Sequence, residues 1–150
     1  MAKKNPDTGR IINRRARYDY ELGDSLVVGL ELTGGEAKSL RLGHGQLRGA
    51  YVTEKGGELW LTNAQITSSR GIQIAESEQT RARKILAKRR EIENLTAARQ
   101  QGQTIVPLEL LTGGRYIKLR IAPGRGKKSY DKRENIKRRQ QEREARRTTG

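Results

Sequence analysis

The sequence contains no cysteine and no phenylalanine, and it has a single histidine, His44. Without cysteine the chain can form neither disulfides nor cysteine-ligated zinc sites, and one histidine cannot make a histidine-rich metal site. No stretch approaches the roughly 18 consecutive apolar residues of a membrane span, and the N-terminus lacks the apolar run of a signal peptide. We therefore expect a cytoplasmic protein with no metal, no cofactor and no membrane contact, and we expect it to be a monomer.

Positive charge is the main excess of the sequence: 32 lysines and arginines stand against 17 aspartates and glutamates, a net charge of +15. Such a charge favours polyanionic partners and speeds the encounter with them. Residues 21–121 are nearly balanced at net +4, whereas 1–20 carry +4 and 122–150 carry +7. This distribution predicts a folded domain over 1–121, including a basic N-terminal arm, and a basic C-terminal tail over 122–150. Because Ile136 is the tail's only aliphatic residue larger than alanine, we expect the tail to be disordered when free.

Short apolar segments separated by glycine-rich turns predict a mainly β protein. The predicted strands cover 22–32, 46–54, 58–62, 106–110, 116–121 and either 65–69 or 72–75. Trp60, between two leucines, is predicted to lie in the core. Five or six such strands suit a small closed barrel. The predicted fold class is therefore α+β, mainly β: an oligonucleotide-binding (OB)-type closed barrel of about six strands, with flanking helices and a basic C-terminal tail.

Two segments carry the signals of helices. Thr33 and Glu36 have the spacing of a capping box, in which each side chain bonds the other residue's backbone N–H, so we predict a helix over 36–42. Apolar residues recur at helical spacing after Ser77, a good N-cap, and this pattern predicts the longest helix over 78–101.

Four basic stretches are candidates for RNA contact. The segment 13–20 combines three arginines, which can grip phosphates, with two tyrosines, which can stack on bases; a solvated lead-in to a strand would look the same. The cations of 81–90 suit either RNA contact or an ordinary solvated helix face. The alternating strand face over 116–120 suits either RNA contact or the solvent-facing polar side of a strand. The tail segment 124–139 has a charge density beyond what a solvated surface needs, which favours RNA contact.

Enzymatic interpretations find little in the sequence. Gly126-Lys127 lacks both the upstream glycine and the following Ser or Thr of a phosphate-binding loop. No cysteine can act as a nucleophile, and no second histidine assists His44 as a general base. We expect a protein that is not an enzyme. The main hypothesis is an RNA-binding adaptor without catalysis, and the two alternatives to it are a general RNA-binding protein and a small RNA-modifying enzyme.

Four segments together resemble the SmpB family, in the order in which that family carries them. They are Asn-Arg-Arg-Ala-Arg-Tyr-Asp-Tyr at 13–20, Glu-Ala-Lys-Ser-Leu-Arg at 36–41, Arg-Lys-Ile-Leu at 83–86, and Gly-Lys-Lys-x-x-Asp-Lys-Arg at 126–133. The sequence departs from the family at Val27, where many members have an acidic residue. It also departs at 77–79, where many have Asp-Pro, and at Lys88, where His or Asn is common. These departures bear on individual RNA contacts.

The resemblance implies an OB-type barrel that binds the tRNA-like part of tmRNA and does not itself catalyse a reaction. It implies that the protein, with elongation factor Tu and GTP, carries alanyl-tmRNA to ribosomes stalled on truncated messages. The tail would then occupy the decoding centre and the empty message channel. The tmRNA contacts expected from motif and charge are Asn13, Arg14, Arg15, Arg17, Tyr18, Lys38, Arg41, Arg83, Lys84, Lys118 and Arg120. The expected ribosome contacts in the tail are Gly126, Lys127, Lys128, Tyr130, Asp131, Lys132, Arg133, Ile136, Lys137, Arg138 and Arg139.

Overall fold

The computed structural model describes residues 9–127 and 139–141; residues 9–127 form ten strands, three α-helices and one 3-10 helix, and residues 139–141 are helical. The strands are β1 (Arg10–Ile12), β2 (Tyr20–Leu22), β3 (Leu26–Leu30), β4 (Gly45–Gln46), β5 (Tyr51–Lys55), β6 (Glu58–Thr62), β7 (Gln65–Ile66), β8 (Arg83–Leu86), β9 (Thr104–Leu111) and β10 (Lys118–Gly126). The helices are α1 (Ala16–Asp19), α2 (Gly34–Arg41), α3 (Arg89–Gln100) and the 3-10 helix Glu76–Glu78. None of these helices is both long and apolar enough to cross a membrane.

Antiparallel pairing joins eight of the strands into one sheet, in the order β1-β9-β10-β3-β8-β6-β5, with β2 added on β10. A separate two-stranded sheet contains β4 and β7. The prediction of an α+β protein built mostly of sheet is confirmed. The prediction of a closed barrel is not. In the described residues the path of paired strands ends at β1 and β5, and no ladder joins β5 to β1 or to β9.

β10 is the central strand of the fold, because it pairs with β9, β3 and β2. The strand expected from the sequence stopped at Ile121, but β10 runs on to Gly126. Along this extension Ala122 is fully buried, and Gly124 pairs with Leu22 of β2. The predicted domain boundary after residue 121 therefore falls inside a strand. Composition could not reveal this, because the partners of the extension lie far away in the sequence.

The first residue after β10 is fastened to the N-terminal arm. The backbone N–H of Lys127 donates to the carbonyl oxygen of Asp19 (2.8 Å), and its Nζ donates to the carbonyl oxygen of Arg17 (2.9 Å). The parts of the predicted tail at 128–138 and 142–150 lie outside the described residues. What the structure does describe, up to Lys127, belongs to the folded domain.

The capping box that begins α2 is confirmed. The backbone N–H of Glu36 donates to Oγ1 of Thr33 (3.2 Å), and the backbone N–H of Thr33 donates to Oε1 of Glu36 (2.9 Å). The helix starts at Gly34, two residues before the predicted start. It ends at Arg41 and is followed by Gly43, whose φ of +83° is the left-handed conformation that glycine adopts most readily.

The predicted helix over 78–101 is wrong in its first half, which holds the end of the 3-10 turn and β8, while α3 begins only at Arg89. Within β8 the side chains of Arg83 and Ile85 are fully buried and Leu86 is half-exposed. This alternation is that of a strand paired on both sides, with β3 and with β6. The same apolar residues also fit a helical period, so long-range pairing decided the structure.

One apolar core lies between the sheet and the helices. Its buried members are Val28, Leu30, Leu40, Leu47, Val52, Leu59, Leu61, Ala64, Ile66, Ile85, Leu95, Ile105, Leu110, Ile117, Leu119 and Ile121. The prediction that Trp60 belongs to the core is wrong. Its two leucine neighbours in β6 point inward, so alternation places Trp60 on the other face, where it is half-buried. There its Nε1 donates to the carbonyl oxygen of Lys55 (3.2 Å).

Candidate nucleic-acid interface

The N-terminal arm is anchored on β9 by Asn13. The backbone N–H of Asn13 donates to the carbonyl oxygen of Leu108, and its side-chain Nδ2 donates to the carbonyl oxygen of Pro107, both at 2.8 Å. Three residues later Ala16, the first residue of α1, is buried. These two anchors fix the direction in which the flanking arginines point. Asn13, which was expected to contact RNA, thus holds the arm in place through its own side chain.

One side of the arm forms a groove of about 650 Å³, here named the arginine groove. It is lined by Arg10, Ile12, Asn13, Arg14, Ala16, Arg17, Ser25, Leu108, Glu109, Arg120 and Arg139. Five of these residues are arginines and one is an acid, so the groove is strongly positive. The structure therefore brings Arg14, Arg17 and Arg120 together, although Arg120 is about a hundred residues further along the chain.

Arg120 is held in position by polar partners that also line the arginine groove. Its Nε donates to Oε1 of Glu109 (3.0 Å), and its NH1 donates to Oγ of Ser25 (3.2 Å). Glu109 also pairs with Arg10 at 3.7 Å. One carboxylate therefore orients two guanidinium groups, and the trio keeps a net positive charge. A fixed guanidinium loses less entropy when it binds a phosphate.

The other side of the arm forms a second groove of about 350 Å³, here named the tyrosine groove. It is lined by Asn13, Arg15, Ala16, Asp19, Tyr20, Gly49, Ala50, Tyr51, Thr104, Ile105, Val106 and Pro107. Arg15 lies here, apart from Arg14 and Arg17. Its guanidinium sits 4.8 Å from the ring centroid of Tyr18 and 3.5 Å from Oδ1 of Asp19.

Tyr51 is a feature of the tyrosine groove that the sequence-based analysis missed. Tyr51 is the first residue of β5, is 47% exposed and lines the groove together with residues of the arm. Alternation offered a signal, because Val52 beside it is buried, which turns Tyr51 outward. An exposed aromatic and Arg15 line the same groove, which therefore has both a stacking surface and a cation.

A third groove, of about 550 Å³, crosses the outer face of β10, β3 and β8 and is here named the lysine groove. Its lining includes Val27, Gly29, Glu58, Lys84, Leu86, Lys88, Glu91 and Lys118. Lys118 pairs with Gly29 in the sheet, and Lys84 lies 4.0 Å from the carboxylate of Glu58. Two lysines expected to contact tmRNA, Lys84 and Lys118, therefore share a surface with Val27 and Lys88, two of the three places where the sequence departs from the family pattern.

Arg83 was expected to contact RNA, and the structure corrects this assignment. The side chain is fully buried, so it offers no surface to RNA. Its Nε donates to Oε2 of Glu36 (2.7 Å), and NH1 donates to the carbonyl oxygen of Ala64 (2.8 Å). NH2 donates to the carbonyl oxygens of Glu78 and Gln79, each at 3.1 Å. Arg83 thus joins several backbone segments inside the domain.

Glu36 is the acidic centre of this buried network. Its carboxylate accepts from Arg83 and also from Arg81, whose NH2 lies 2.6 Å from Oε1. Burial raises the pKa of Glu36, but hydrogen bonds from Arg81, from the Thr33 backbone and from Arg83 outweigh burial and hold that pKa below its ordinary value. Burial lowers the pKa of Arg83, and the hydrogen bond that Arg83 donates to Glu36 opposes the shift.

Lys38 and Arg41, both on α2, have different surroundings. Lys38 is exposed. Arg41 is exposed too, but its NH1 donates to the carbonyl oxygen of Gly114 (3.1 Å) and its NH2 to that of Arg115 (2.7 Å). The helix therefore touches the turn between β9 and β10 through a side chain that was expected to contact RNA.

The expected ribosome contacts are described only in part. Gly126 pairs with Tyr20 as the last residue of β10, Lys127 is bonded to the arm, and Arg139 is exposed and lines the arginine groove. The other expected tail contacts, Lys128, Tyr130, Asp131, Lys132, Arg133, Ile136, Lys137 and Arg138, lie outside the described residues. Within the described part of the chain, no three His, Asp or Glu side chains are grouped so that they could hold a metal ion.

Comparison with known proteins gives consistent matches along the chain. The family model described as SmpB protein matches residues 10–150. The SsrA-binding protein of Nitratidesulfovibrio vulgaris (strain DP4) is 42% identical over 149 residues, covering 98% of this chain and 97% of that protein. The SsrA-binding protein of Coxiella burnetii (strain Dugway 5J108-111) is 42% identical over 146 residues, covering 96% and 92%. A solved chain from a structure of tmRNA–SmpB in the bacterial ribosome is 36% identical and superposes with a TM-score of 0.66, covering 81% of this chain and 86% of that chain.

Proposed function

Because this chain belongs to the SmpB family, we propose that it binds tmRNA and brings that RNA to stalled ribosomes, so that incomplete proteins are tagged and the ribosomes are released. The relatives are named for binding SsrA RNA, and the solved relative was seen with tmRNA and the ribosome. The protein acts in the cytoplasm, where ribosomes are. It serves as an adaptor and not as an enzyme.

The arginine groove is the observation that carries the proposal. Arg14 and Arg17 come from the arm and Arg120 from the central strand, so a folded domain presents cations from distant parts of the chain in one place. Guanidinium groups held by a folded domain lose less entropy on binding the phosphates of a folded RNA than those of a flexible basic segment would. We therefore place the backbone of the tRNA-like part of tmRNA along this groove.

The tyrosine groove supplies the selectivity that charge alone cannot give. Phosphate contacts bind all RNA alike, whereas stacking on an aromatic ring requires an unpaired base. Tyr51 and the Arg15–Tyr18 pair offer such surfaces beside the arm. This groove also lies where β5 approaches the first half of β9, and we propose that this is the seam of an OB-type barrel.

The remaining expected tmRNA contacts belong to the edges of this interface. Lys38, Lys84 and Lys118 are at least partly exposed, so they can meet phosphates outside the two main grooves. Arg41 contributes mainly by supporting the turn that it binds. Asn13 contributes by anchoring the arm.

The tail takes a second role in this proposal. Residues 128–150 hold nine basic and four acidic residues, a charge suited to the dense phosphates of ribosomal RNA. We place this segment in the decoding centre and the message channel, while the domain holds tmRNA. Elongation factor Tu with GTP joins the complex through the alanylated end of tmRNA.

One binding experiment tests the proposal against that of a general RNA-binding protein. The full-length protein is titrated with the tRNA-like domain of tmRNA and with duplex RNA of equal length, at several salt concentrations. We expect both affinities to fall with salt, because counterions are released on binding. The tRNA-like domain should be preferred at every salt concentration. Equal affinity for the two RNAs would favour a general RNA-binding protein.

A further inference from the structure

The turn between β9 and β10, residues 112–117, carries an aromatic ring far into solvent. We name this segment the hairpin tip. Tyr116 is 68% exposed, which is more than any other large apolar residue in the described part of the chain. The guanidinium of Arg115 lies 5.5 Å from the centroid of the Tyr116 ring. Leaving so much aromatic surface in water gains nothing for folding.

The hairpin tip is nevertheless fixed on both sides. The backbone N–H groups of Thr112 and Gly113 donate to the carbonyl oxygen of Gly9, at 2.7 and 3.1 Å. On the other side, Arg41 donates to two carbonyl oxygens of the tip. Ile117, next to the exposed ring, is itself buried. Tyr116 is therefore presented by a supported turn and not by a loose one.

The hairpin tip and the cations next to it carry charge of one sign. Arg41, Arg115 and Lys118 are exposed cations, and residues 112–118 contain no acid. An aromatic face beside cations binds a nucleotide in two ways: the base stacks on the ring, and the adjoining phosphate meets the positive charge. A protein partner with an apolar patch would gain little from three cations around its contact.

We propose that the hairpin tip is an RNA-binding site of its own, in which Tyr116 stacks on an unpaired base and Arg115 meets the neighbouring phosphate. Arg41 is a positioning residue, because it holds the tip through two backbone oxygens. This site lies outside the arginine, tyrosine and lysine grooves, apart from Lys118, which also lines the last. The inference rests on the proposed function, in that it takes RNA to be the ligand.

Photocrosslinking of the full-length protein tests the site directly. The tRNA-like domain is prepared with 5-iodouridine in place of uridine, bound, irradiated and mapped by mass spectrometry. A second arm irradiates the complex with tmRNA and ribosomes at 254 nm and identifies the crosslinked nucleotide. An adduct on Tyr116 in either arm supports the site, and the nucleotide shows whether the base belongs to tmRNA or to ribosomal RNA. The absence of a Tyr116 adduct in both arms overturns the proposal.

Affinity measurements in the arm that gives the adduct separate stacking from folding. Tyr116→Ala should weaken binding about five- to a hundred-fold, the range found when a stacked aromatic is removed, and Tyr116→Phe should bind like the unchanged protein. Leu42→Ala is the matched control, since Leu42 is 59% exposed and lies outside the tip. Wild-type affinity in Tyr116→Ala would overturn the proposal. A different result would refute the proposed function itself: the unchanged protein would then not prefer the tRNA-like domain over duplex RNA.

Double substitutions test the positioning role of Arg41. Arg41→Gln should weaken binding in the unchanged protein but add little in a Tyr116→Ala background, because the tip's contribution is already lost. Lys38→Gln removes the same charge from the same helix without touching the tip. Its effect should be the same in both backgrounds. If Arg41→Gln, like Lys38→Gln, weakens binding by the same factor in both backgrounds, the positioning role is refuted.

Discussion

Nε of Arg83 donates a 2.7 Å hydrogen bond to Oε2 of Glu36, and both side chains are almost completely buried. Glu36 belongs to the first turn of α2 and Arg83 to β8, so this bond fastens the helix to the sheet. The same carboxylate completes the capping box with Thr33. In a buried ion pair each charge compensates the other for the loss of water. Removing either partner therefore leaves an unpaired buried charge, which is strongly destabilising.

We predict that Glu36→Gln destabilises the protein by about 3–5 kcal/mol, because it leaves the Arg83 guanidinium buried without its counter-charge. Glutamine can still accept at the third position of a capping box, so the change isolates the charge. Denaturant unfolding followed by circular dichroism gives the free energy of unfolding. Glu54→Gln, at an exposed glutamate, is the control and should have almost no effect. Equal stability of the two variants would contradict the prediction.

The low pKa of Glu36 predicts how this contribution depends on pH. The pKa is lower in the folded protein than its ordinary value of 4.5, so folding favours the ionised carboxylate. The contribution is complete above pH 4.5 and is lost as the pH falls through the folded-state pKa. The difference between the unfolding free energies of wild type and Glu36→Gln, measured from neutral pH into the acid range, should be constant above pH 4.5 and shrink below it. A difference that stays constant down to the lowest pH measured would contradict this predicted pH dependence.

We predict that Arg14→Gln with Arg17→Gln lowers the salt dependence of tmRNA binding. Each phosphate contact contributes about 0.7–0.9 to the slope of log affinity against log salt, so the slope should fall by roughly 1.4–1.8. Melting temperature should barely change, because both side chains are exposed. The control pair Arg48→Gln with Arg70→Gln removes the same charge from exposed positions outside the arginine groove. If both pairs change the slope equally, the groove has no special role.

The contacts that sequence reasoning found are those made between near neighbours. Thr33 and Glu36 are three residues apart, and their capping box follows from local spacing. Glu36 and Arg83 are 47 positions apart, and nothing in the sequence around Arg83 distinguishes it from Lys84, which is partly exposed. The charge pattern pointed to the arm and to β10, whose cations line the arginine groove, yet it assigned a core arginine to the RNA surface.

The division of the arm between two grooves was equally hidden. Arg14 and Arg15 are adjacent, but they line different grooves because Asn13 fixes the arm on a carbonyl 94 positions away. The end of the last predicted strand was misplaced for the same reason. Residues 122–126 look like tail by composition, and only their pairing with β2 and β9 makes them a strand.

Gly124 gives a test of that strand extension. A Cβ at Gly124 would lie 3.0 Å from Cδ2 of Leu22 and 3.1 Å from the carbonyl oxygen of Glu21, and a backbone atom cannot easily move away. We predict that Gly124→Ala destabilises the protein by about 1–3 kcal/mol, the usual effect of overpacking. Gly126→Ala, two residues on in the same strand, meets no atom within 4 Å and is the control. Equal melting temperatures would argue against the extension.

The place of truncation decides whether the domain and the tail can be separated. Removal of everything after Ile121 deletes the buried Ala122 and the part of β10 that pairs with β2, so this variant should fold poorly or not at all. Removal of everything after Lys127 keeps β10 and both bonds between Lys127 and the arm. The longer variant therefore isolates the domain without cutting into it.

We predict that the chain ending at Lys127 melts near the temperature of the full-length protein and binds the tRNA-like domain with little loss, yet does not support tagging on stalled ribosomes. The first two results follow because the three grooves and their anchors are complete, apart from Arg139 at the edge of the arginine groove. The third follows because nine basic residues placed in the decoding centre by our proposal are gone. Calorimetry, RNA titration and an in vitro tagging assay measure the three. Normal tagging by the truncated chain, or loss of most of its RNA affinity, would show that the domain and the tail do not divide the work in this way.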